Sequence, residues 1–275
     1  MSRLRVDWPG WGTFRLEPER GPTVVIDPCF SRLLDNPAGK PAHARADVML
    51  ITHGHHEHIR DAHRALRQTG APVLAPPQVI DFLVRRRRAD RRRFVSVQPD
   101  QTVELPGLTV TARGFPHLEK HDVAGKLGVL RDNHVRGALG ILGRYGLRVA
   151  FSYAVIAGQP DEGPFLAYDL QFHDGPRVFV SCEAFTELLS PELPAEWAEG
   201  RPIDLALIGL ESGQERHASA HTAALAPKLA VGAAVHEPFE RFYGKAPVVG
   251  ERWVDGVSNR RFWEPGSAGE FDLGS

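Results

Sequence analysis

The chain has 275 residues, of which 42% are hydrophobic and 24% charged, a composition typical of a globular protein with one large domain or two small ones. Its formal net charge of −1 gives no global field that would attract nucleic acid or an anionic membrane. The first residues lack the apolar run of a signal peptide, no window reaches the roughly 18 apolar residues of a membrane span, and two cysteines are too few for a disulfide framework. We therefore expect a soluble, cytoplasmic protein with no nucleic-acid partner and no membrane span.

Apolar runs of strand length, each bounded by turn residues, alternate with helical patterns in the first part of the chain. Residues 24–26, in "GPTVVIDP", are β-formers between Gly-Pro and Asp-Pro turns. Ile59, Ala62 and Leu66 share one helical face in "HIRDAHRALRQTG", and Gly70 is placed to end that helix. A second helix is predicted at "QVIDFLV". The other predicted strands are "GTFRLEP", "DVMLIT", "APVLAPP" and those within "FVSVQPDQTVELPGLTVTARGFPH".

The second part of the chain continues the alternation. "ALGILGRYGLRVAFSYAVIAG" predicts a hairpin that turns near Tyr145-Gly146, and "PRVFVSCEAF", "PIDLALIGLES" and "LAVGAAVHEPF" predict strands separated by helices. Residues 117–175 are polar and rich in Gly and Asp, and they form either a lid or an ordinary surface insertion. We expect one α/β sandwich over residues 1–265 and a flexible tail over residues 266–275.

Four histidines and one glutamate crowd into residues 53–58, "HGHHEH", between a buried strand and a helix. Sites in α/β sheets form outside the carboxyl ends of strands, where this segment lies. His53 and His55 are two residues apart in an extended turn and can face one ion, whereas Glu57 and His58 lie one helical step further and can face a second. Imidazole and carboxylate are ligands that zinc accepts. The spacing therefore predicts a metal site rather than a solvated histidine-rich turn.

This segment resembles the signature of the metallo-β-lactamase superfamily, H-x-H-x-D-H in a strand-to-helix turn. Glu57 stands where that family usually has Asp, and its extra methylene implies that a second ion shifts, binds more weakly or is absent. The resemblance is nearest to the branch that contains ascorbate-6-phosphate lactonase and N-acyl-phosphatidylethanolamine phospholipase D. It implies an αββα sandwich of two mixed β-sheets flanked by helices. The matching segments are "TVVIDPCF", "ADVMLITHGHHEHI", "TVTARGFPH", "PIDLALIGLESG" and "KLAVGAAVHEPF".

The resemblance also implies a set of metal ligands. "VFVSCEAF" stands where the family has Gly-Asp-Thr, so Cys182 or Glu183 replaces the bridging aspartate. A rival alignment at "VAFSYAV" puts Tyr153 there and leaves no carboxylate. The implied shell of one ion is His53, His55 and His117, and that of the other is Glu57, His58 and His236, with Glu183 or Cys182 as the bridge. A centre with a single ion is the alternative. Cys182 also fits an ordinary buried strand residue.

The function implied is that of a metal-dependent hydrolase that binds one or two Zn²⁺ ions, or Mn²⁺ or iron in their place. A metal-bound hydroxide attacks an ester, lactone or phosphodiester of a small, anionic substrate. Glu57 and His217 are the predicted catalytic residues, and His217 is expected to face the substrate as a proton or hydrogen-bond donor. The alternatives are an iron-dependent redox enzyme on the same fold and a degenerate member that binds a ligand without catalysis.

A run of seven arginines lies between Arg85 and Arg93. We interpret it as the solvated end of a helix, where cations suit the helix dipole. Contact with phosphate is the alternative interpretation, because arginine clusters also bind phosphate oxygens.

Overall fold

The computed structural model describes residues 2–30, 40–116, 163–183, 185, 188–190, 192–236, 246–254 and 258–273. Within these residues, two seven-stranded sheets make up the centre of the molecule. The first sheet has the strand order β14-β1-β2-β3-β4-β5-β6, and its last four strands run parallel. Its strands are β1 (Ser2–Gly10), β2 (Thr13–Pro18), β3 (Val24–Ile26), β4 (Val48–Leu50), β5 (Val73–Ala75), β6 (Phe94–Ser96) and β14 (Ala268–Leu273).

The second sheet, like the first, has an antiparallel half and a parallel half. Its order is β13-β12-β11-β10-β9-β8-β7, and β10 to β13 run parallel. Its strands are β7 (Thr102–Leu105), β8 (Leu108–Phe115), β9 (Phe165–Phe172), β10 (Arg177–Ser181), β11 (Leu205–Gly209), β12 (Leu229–Ala233) and β13 (Arg260–Trp263).

Helices cover the outer faces of both sheets. Those packed on the first sheet follow β4 and β5, and those packed on the second follow β10, β11 and β12. The helices are α1 (His56–Ile59), α2 (Ala62–Gln68), α3 (Pro77–Arg87), α4 (Glu192–Trp197), α5 (Glu215–Leu225) and α6 (Gly250–Val254), with 3₁₀ turns at Pro41–Ala44 and Arg91–Arg93. No helix in the described ranges is long and apolar enough to cross a bilayer.

The strand patterns explain the layers. In β11 all five residues are apolar or glycine, and all are buried. Leu205 and Leu207 pack between the two sheets, whereas Ala206 and Ile208 pack under the helices, because successive side chains of a strand point to opposite faces. A strand that is covered on both faces is expected to be apolar throughout, as parallel strands usually are. The αββα sandwich predicted from the resemblance is therefore confirmed.

Two expectations about the chain were wrong. The tail is not loose over residues 268–273, because β14 pairs antiparallel with β1 and buries Phe271 and Leu273. Residues 165–172 do not belong to a lid either, since β9 pairs with both β8 and β10 inside the second sheet. Residues 117–162, which include the predicted hairpin near Tyr145-Gly146, lie outside the described residues.

The first arginines of the run form the solvated end of a helix, as predicted, whereas Arg91–Arg93 form a separate 3₁₀ turn. Helix α3 ends at Arg87, and the side chains of Arg85 and Arg92 are 79% and 89% exposed. Arg93 differs from the others because its guanidinium donates to the carbonyls of Leu66 and Ala71 and so ties the turn to the end of α2.

Candidate metal centre

The parallel strands of both sheets bring ionisable side chains to one edge of the sandwich. Asp27 directly follows β3, and His53 follows β4. In the other sheet, Glu183 follows β10 and His236 follows β12. All four lie beyond the carboxyl ends of parallel strands, where α/β folds place their sites. Helix α1 adds Glu57 and His58 to the same edge.

Three imidazole nitrogens converge on one carboxylate oxygen. Oε1 of Glu183 lies 2.8 Å from Nε2 of His58 and 3.3 Å from Nε2 of both His53 and His236. Nε2 of His236 also lies 3.6 Å from Oε1 of Glu57. Because Glu183, His53 and His58 are almost fully buried, this is an interior polar cluster and not a solvated surface.

The opposite ring nitrogens of two of these histidines have partners of their own. Nδ1 of His58 lies 2.7 Å from Oδ2 of Asp27, and Nδ1 of His53 lies 2.9 Å from the Thr52 hydroxyl. That hydroxyl itself donates to Oδ2 of Asp27 over 2.6 Å, so it accepts from His53. In their neutral form both imidazoles therefore carry their proton on Nδ1, which leaves the lone pair of Nε2 directed at Glu183.

Lone pairs that face a carboxylate require a cation between them. Nε2 of His58 and Nε2 of His236 are buried, and both face Oε1 of Glu183. Buried acceptors in such an arrangement repel one another unless a proton or a metal ion lies between them. Imidazole nitrogens and carboxylate oxygens are the donor set that zinc and neighbouring divalent metals accept, so these residues fit a metal centre.

Glu183 is common to two groups of candidate ligands. Within each group, one ligand atom from every residue lies within 4.8 Å of the others. Because one carboxylate has two oxygens, a shared carboxylate can bridge two ions. The two groups that share it are Glu57, His58, Glu183 and His236, and His53, His55 and Glu183; a third group holds Asp27, His53 and His58.

Without a metal, protons would occupy part of this cluster. Burial opposes charge on His58, but the carboxylates of Asp27 and Glu183 outweigh burial and raise its pKa to about 10. Burial likewise opposes charge on His236, yet Glu183 and Glu211 hold its pKa well above the usual value. Burial and the neighbouring imidazoles hold the pKa of His53 well below 6.5. Metal binding would therefore displace protons from His58 and His236.

The pKa of His58 predicts how the metal-free protein responds to pH. Its folded-state pKa of about 10 exceeds the 6.5 of an ordinary histidine, so its contribution to stability is full below pH 6.5 and disappears as the pH rises through about 10. We expect the free energy of unfolding of chelator-treated protein to fall across this window. Denaturant unfolding at a series of pH values measures this. A His58→Gln variant should show a flatter profile, and parallel profiles would contradict the assignment.

The structure places His55 beside His53 and His217 on an exposed surface, and it does not describe His117. His55 is half-buried, with its ring centroid 4.4 Å from that of His53, and belongs to one ligand group. His117 lies outside the described residues, as does Tyr153 of the rival alignment. His217 has an exposed side chain on α5, where its carbonyl oxygen accepts from His221.

Cys182 is placed in the core, and not in any of the candidate ligand groups of the described residues. It is fully buried between the sheets. Burial raises the pKa of its thiol well above the usual value, and the charge of Asp27 and a hydrogen bond to Asp27 raise it further. A neutral thiol is a poor metal ligand, since the thiolate is the form that binds. The Glu183 carboxyl occupies the position between the histidines.

Asp27, Thr52 and Glu211 touch the candidate ligand histidines but were not predicted as site residues. Asp27 has a φ of 48°, a left-handed conformation that is uncommon for a residue other than glycine and that is often found at functional sites. In the sequence, its only signal is its place after a strand and before Pro28. Glu211 lies 3.3 Å from Nδ1 of His236 through its Oε1 atom.

Asp27→Asn is expected to weaken metal binding by about 10- to 100-fold, the usual effect of losing a partner behind a histidine ligand. The Asp27 carboxylate accepts from the Thr52 amide over 2.7 Å, from the Thr52 hydroxyl and from His58. An amide cannot accept from all three donors. Competition with a metal chelator measures the effect. Asp272→Asn, at a 69% exposed side chain paired with Arg3, is the control and should leave affinity unchanged.

Part of the chain is similar to a family model and to curated proteins. Residues 22–152 match the family model described as the Beta-lactamase superfamily domain. A protein named UPF0173 metal-dependent hydrolase from Thermoplasma acidophilum is 30% identical over 124 residues, which cover 44% of this chain and 51% of that relative. One of the same name from Thermoplasma volcanium is 29% identical over 121 residues, covering 43% and 50%. The chain thus spans about half the length of the curated relatives it matches.

Solved structures match over the whole chain. A metallo hydrolase from Ignicoccus hospitalis superposes with a TM-score of 0.62 at 18% identity, covering 99% of this chain and all of that one (100%). The metallo-β-lactamase fold protein YhfI from Bacillus subtilis gives a TM-score of 0.57 at 12% identity, covering 98% and 100%. CmlA, a diiron β-hydroxylase from Streptomyces venezuelae, gives 0.58 at 16% identity, covering 98% and 54%. At these identities the likeness concerns the fold alone.

Proposed function

Starting from a chain that carries the metallo-β-lactamase fold, we propose that this protein is a metal-dependent hydrolase. One observation carries the proposal: three imidazole nitrogens, from His53, His58 and His236, surround one buried oxygen of Glu183. The match of residues 22–152 to the Beta-lactamase superfamily domain and the relatives named metal-dependent hydrolases support it.

We propose that the centre holds two divalent ions, with zinc as the first candidate and manganese or iron as alternatives. His53 and His55 would hold one ion, with His117 as a further ligand, and Glu57, His58 and His236 would hold the other. Glu183 would bridge them. The chemistry that such ions supply is a water pKa lowered toward ~7 and polarisation of a substrate oxygen.

The chain's own residues would position the reaction. Asp27 and Thr52 hold the rings of His58 and His53, so the ligand nitrogens need no reorganisation when a substrate arrives. The centroid of the Phe165 ring lies 5.1 Å from that of His53 and 5.6 Å from that of His55, so an apolar ring borders that side of the centre. His217 remains our candidate for a substrate-facing donor.

The proposed substrates are esters, lactones or phosphodiesters of small anionic molecules. Protein loaded separately with zinc, manganese or iron should be tested on p-nitrophenyl acetate, a γ-lactone and bis(p-nitrophenyl) phosphate. Hydrolysis that follows metal content and is lost in Glu183→Ala would support the proposal. Turnover that requires iron and oxygen would favour the redox alternative. Fully metal-loaded protein that hydrolyses none of the three would favour binding without catalysis.

A further inference from the structure

His236 is held from both sides by carboxylates. Its Nε2 atom faces Glu183 at 3.3 Å and Glu57 at 3.6 Å, and its Nδ1 atom lies 3.3 Å from Oε1 of Glu211. Glu183 and Glu57 belong to a candidate ligand group with His236, whereas Glu211 belongs to none of the groups among the described residues. Glu211 therefore contacts the ring on the side away from the cluster.

The sheet places Glu211 in this position. Glu211 lies two residues beyond the end of β11, and His236 lies three beyond the end of the neighbouring parallel strand β12. The Leu210 amide donates to the Ala233 carbonyl over 2.7 Å, so the two chain segments stay paired past the strand ends. The Glu211 carbonyl accepts from the Gln214 amide over 3.1 Å, which closes the turn into α5. The carboxyl group is only 19% exposed, which limits its alternative positions.

The three histidines around Glu183 follow one pattern. Asp27 accepts from Nδ1 of His58 and the Thr52 hydroxyl accepts from Nδ1 of His53, and each leaves Nε2 for the cluster. Glu211 stands in the corresponding place behind His236. A carboxylate behind an imidazole fixes its tautomer and its ring orientation and raises the basicity of the ligand nitrogen.

We propose that Glu211 is a positioning residue that holds His236 with its proton on Nδ1. It thereby presents Nε2 to the second metal ion, which is the ion held with Glu57 and His58. This inference rests on the proposed function, because it assumes that His236 is a metal ligand. It predicts that Glu211 acts on one ion of the pair and not on the other, since Glu211 contacts His236, which belongs to the group with Glu57, His58 and Glu183 and not to the group of His53, His55 and Glu183.

The test compares two substitutions by chelator competition with Zn²⁺, read as two successive dissociation constants. We expect Glu211→Ala to weaken the second constant by about 10- to 100-fold and to leave the first unchanged. Glu211→Gln keeps an oxygen that can accept from Nδ1, so it should lose less. Glu251→Ala, which removes an exposed carboxylate on α6, is the matched control and should match the wild type.

A spectroscopic readout separates positioning from general damage. In ¹⁵N-histidine NMR spectra of the zinc-loaded protein, His236 should carry its proton on Nδ1 in the wild type and in Glu211→Gln. In Glu211→Ala the resonance of the His236 Nδ1 proton should broaden or disappear through exchange with water. If the wild type binds two ions and Glu211→Ala binds both with unchanged constants, the positioning role is wrong and the proposed function stands. If the wild type binds none of zinc, manganese and iron, the proposed function itself is wrong.

Discussion

Replacing Glu183 with alanine should remove both metal ions from the protein. Among the described residues, Glu183 is shared by the candidate group that contains His236 and the candidate group that contains His55. Its Oε1 atom lies within 3.3 Å of three imidazole nitrogens. Without it, each ion loses a charged ligand and the three imidazoles lose the anion that offsets the positive charge of the pair. We expect a loss of affinity greater than the ~10- to 100-fold that follows loss of a supporting hydrogen bond.

Elemental mass spectrometry on dialysed protein measures this effect, and Cys182→Ser is the matched control. That change removes the sulfur atom as a candidate ligand but keeps a donor toward Asp27. The control should retain both ions, with some loss of stability because a hydroxyl replaces a thiol between the sheets. Loss of metal from Cys182→Ser with retention in Glu183→Ala would reverse our assignment of the bridge.

Gly12→Ala should displace His58 and abolish binding of the ion that Glu57, His58 and His236 are proposed to hold. Gly12 lies in the turn between β1 and β2, and a Cβ atom there would fall 2.5 Å from both Cε1 and Nδ1 of the His58 ring. The ring cannot retreat without breaking its contacts of 2.7 Å to Asp27 and 2.8 Å to Glu183. Forcing an extra carbon into a packed interior typically costs about 1–3 kcal/mol in stability.

Gly70→Ala is the matched control for the glycine substitution. A Cβ atom at Gly70 meets nothing within 4 Å, so this variant should keep its metal and its stability. The measurements are metal content and the free energy of unfolding in denaturant. Gly12→Ala with wild-type metal content would mean that the hairpin turn yields easily, and that His58 is held less firmly than its contacts indicate.

Local patterns were sufficient to locate the histidine cluster. "DVMLIT" predicted a buried strand, which appears as β4, and "HIRDAHRALRQTG" predicted one helix, which the structure divides into α1 and α2. The candidate ligands in "HGHHEH" lie within six residues of one another, so sequence spacing alone could bring them together. The same holds for the apolar runs that became β10, β11 and β12, since each is continuous and bounded by turn residues.

The choice between Cys182 and Glu183 could not be made from the sequence. Side chains near a strand end alternate between the two faces of the sheet. A shift of one residue would therefore exchange the side chain in the core with the one that faces the histidine cluster. Here the thiol of Cys182 points between the sheets and the carboxyl of Glu183 points to the histidines. Only the register of β10 against its neighbours decides this, and that register depends on pairing with β9 and β11.

The supporting residues and the terminal strands depend on distant partners. Asp27 meets a histidine 31 positions away, and β14 pairs with β1 from the opposite end of the chain. The alternation of Phe271 and Leu273 in the tail is that of a half-buried strand, but the surrounding Gly and Ser residues suggested a loose segment. Contacts between residues so far apart in the chain leave no local signal, since the sequence pattern specifies a buried face but not its partner.

The most direct test of the metal centre is metal content per chain, measured by elemental mass spectrometry on untagged protein beside a His58→Ala variant. His58 belongs to the group with Glu57, Glu183 and His236, but not to the group with His53 and His55. We predict two ions per chain in the wild type and one in the variant. Less than one ion per chain in wild-type protein that has been offered zinc, manganese and iron would contradict the metal centre.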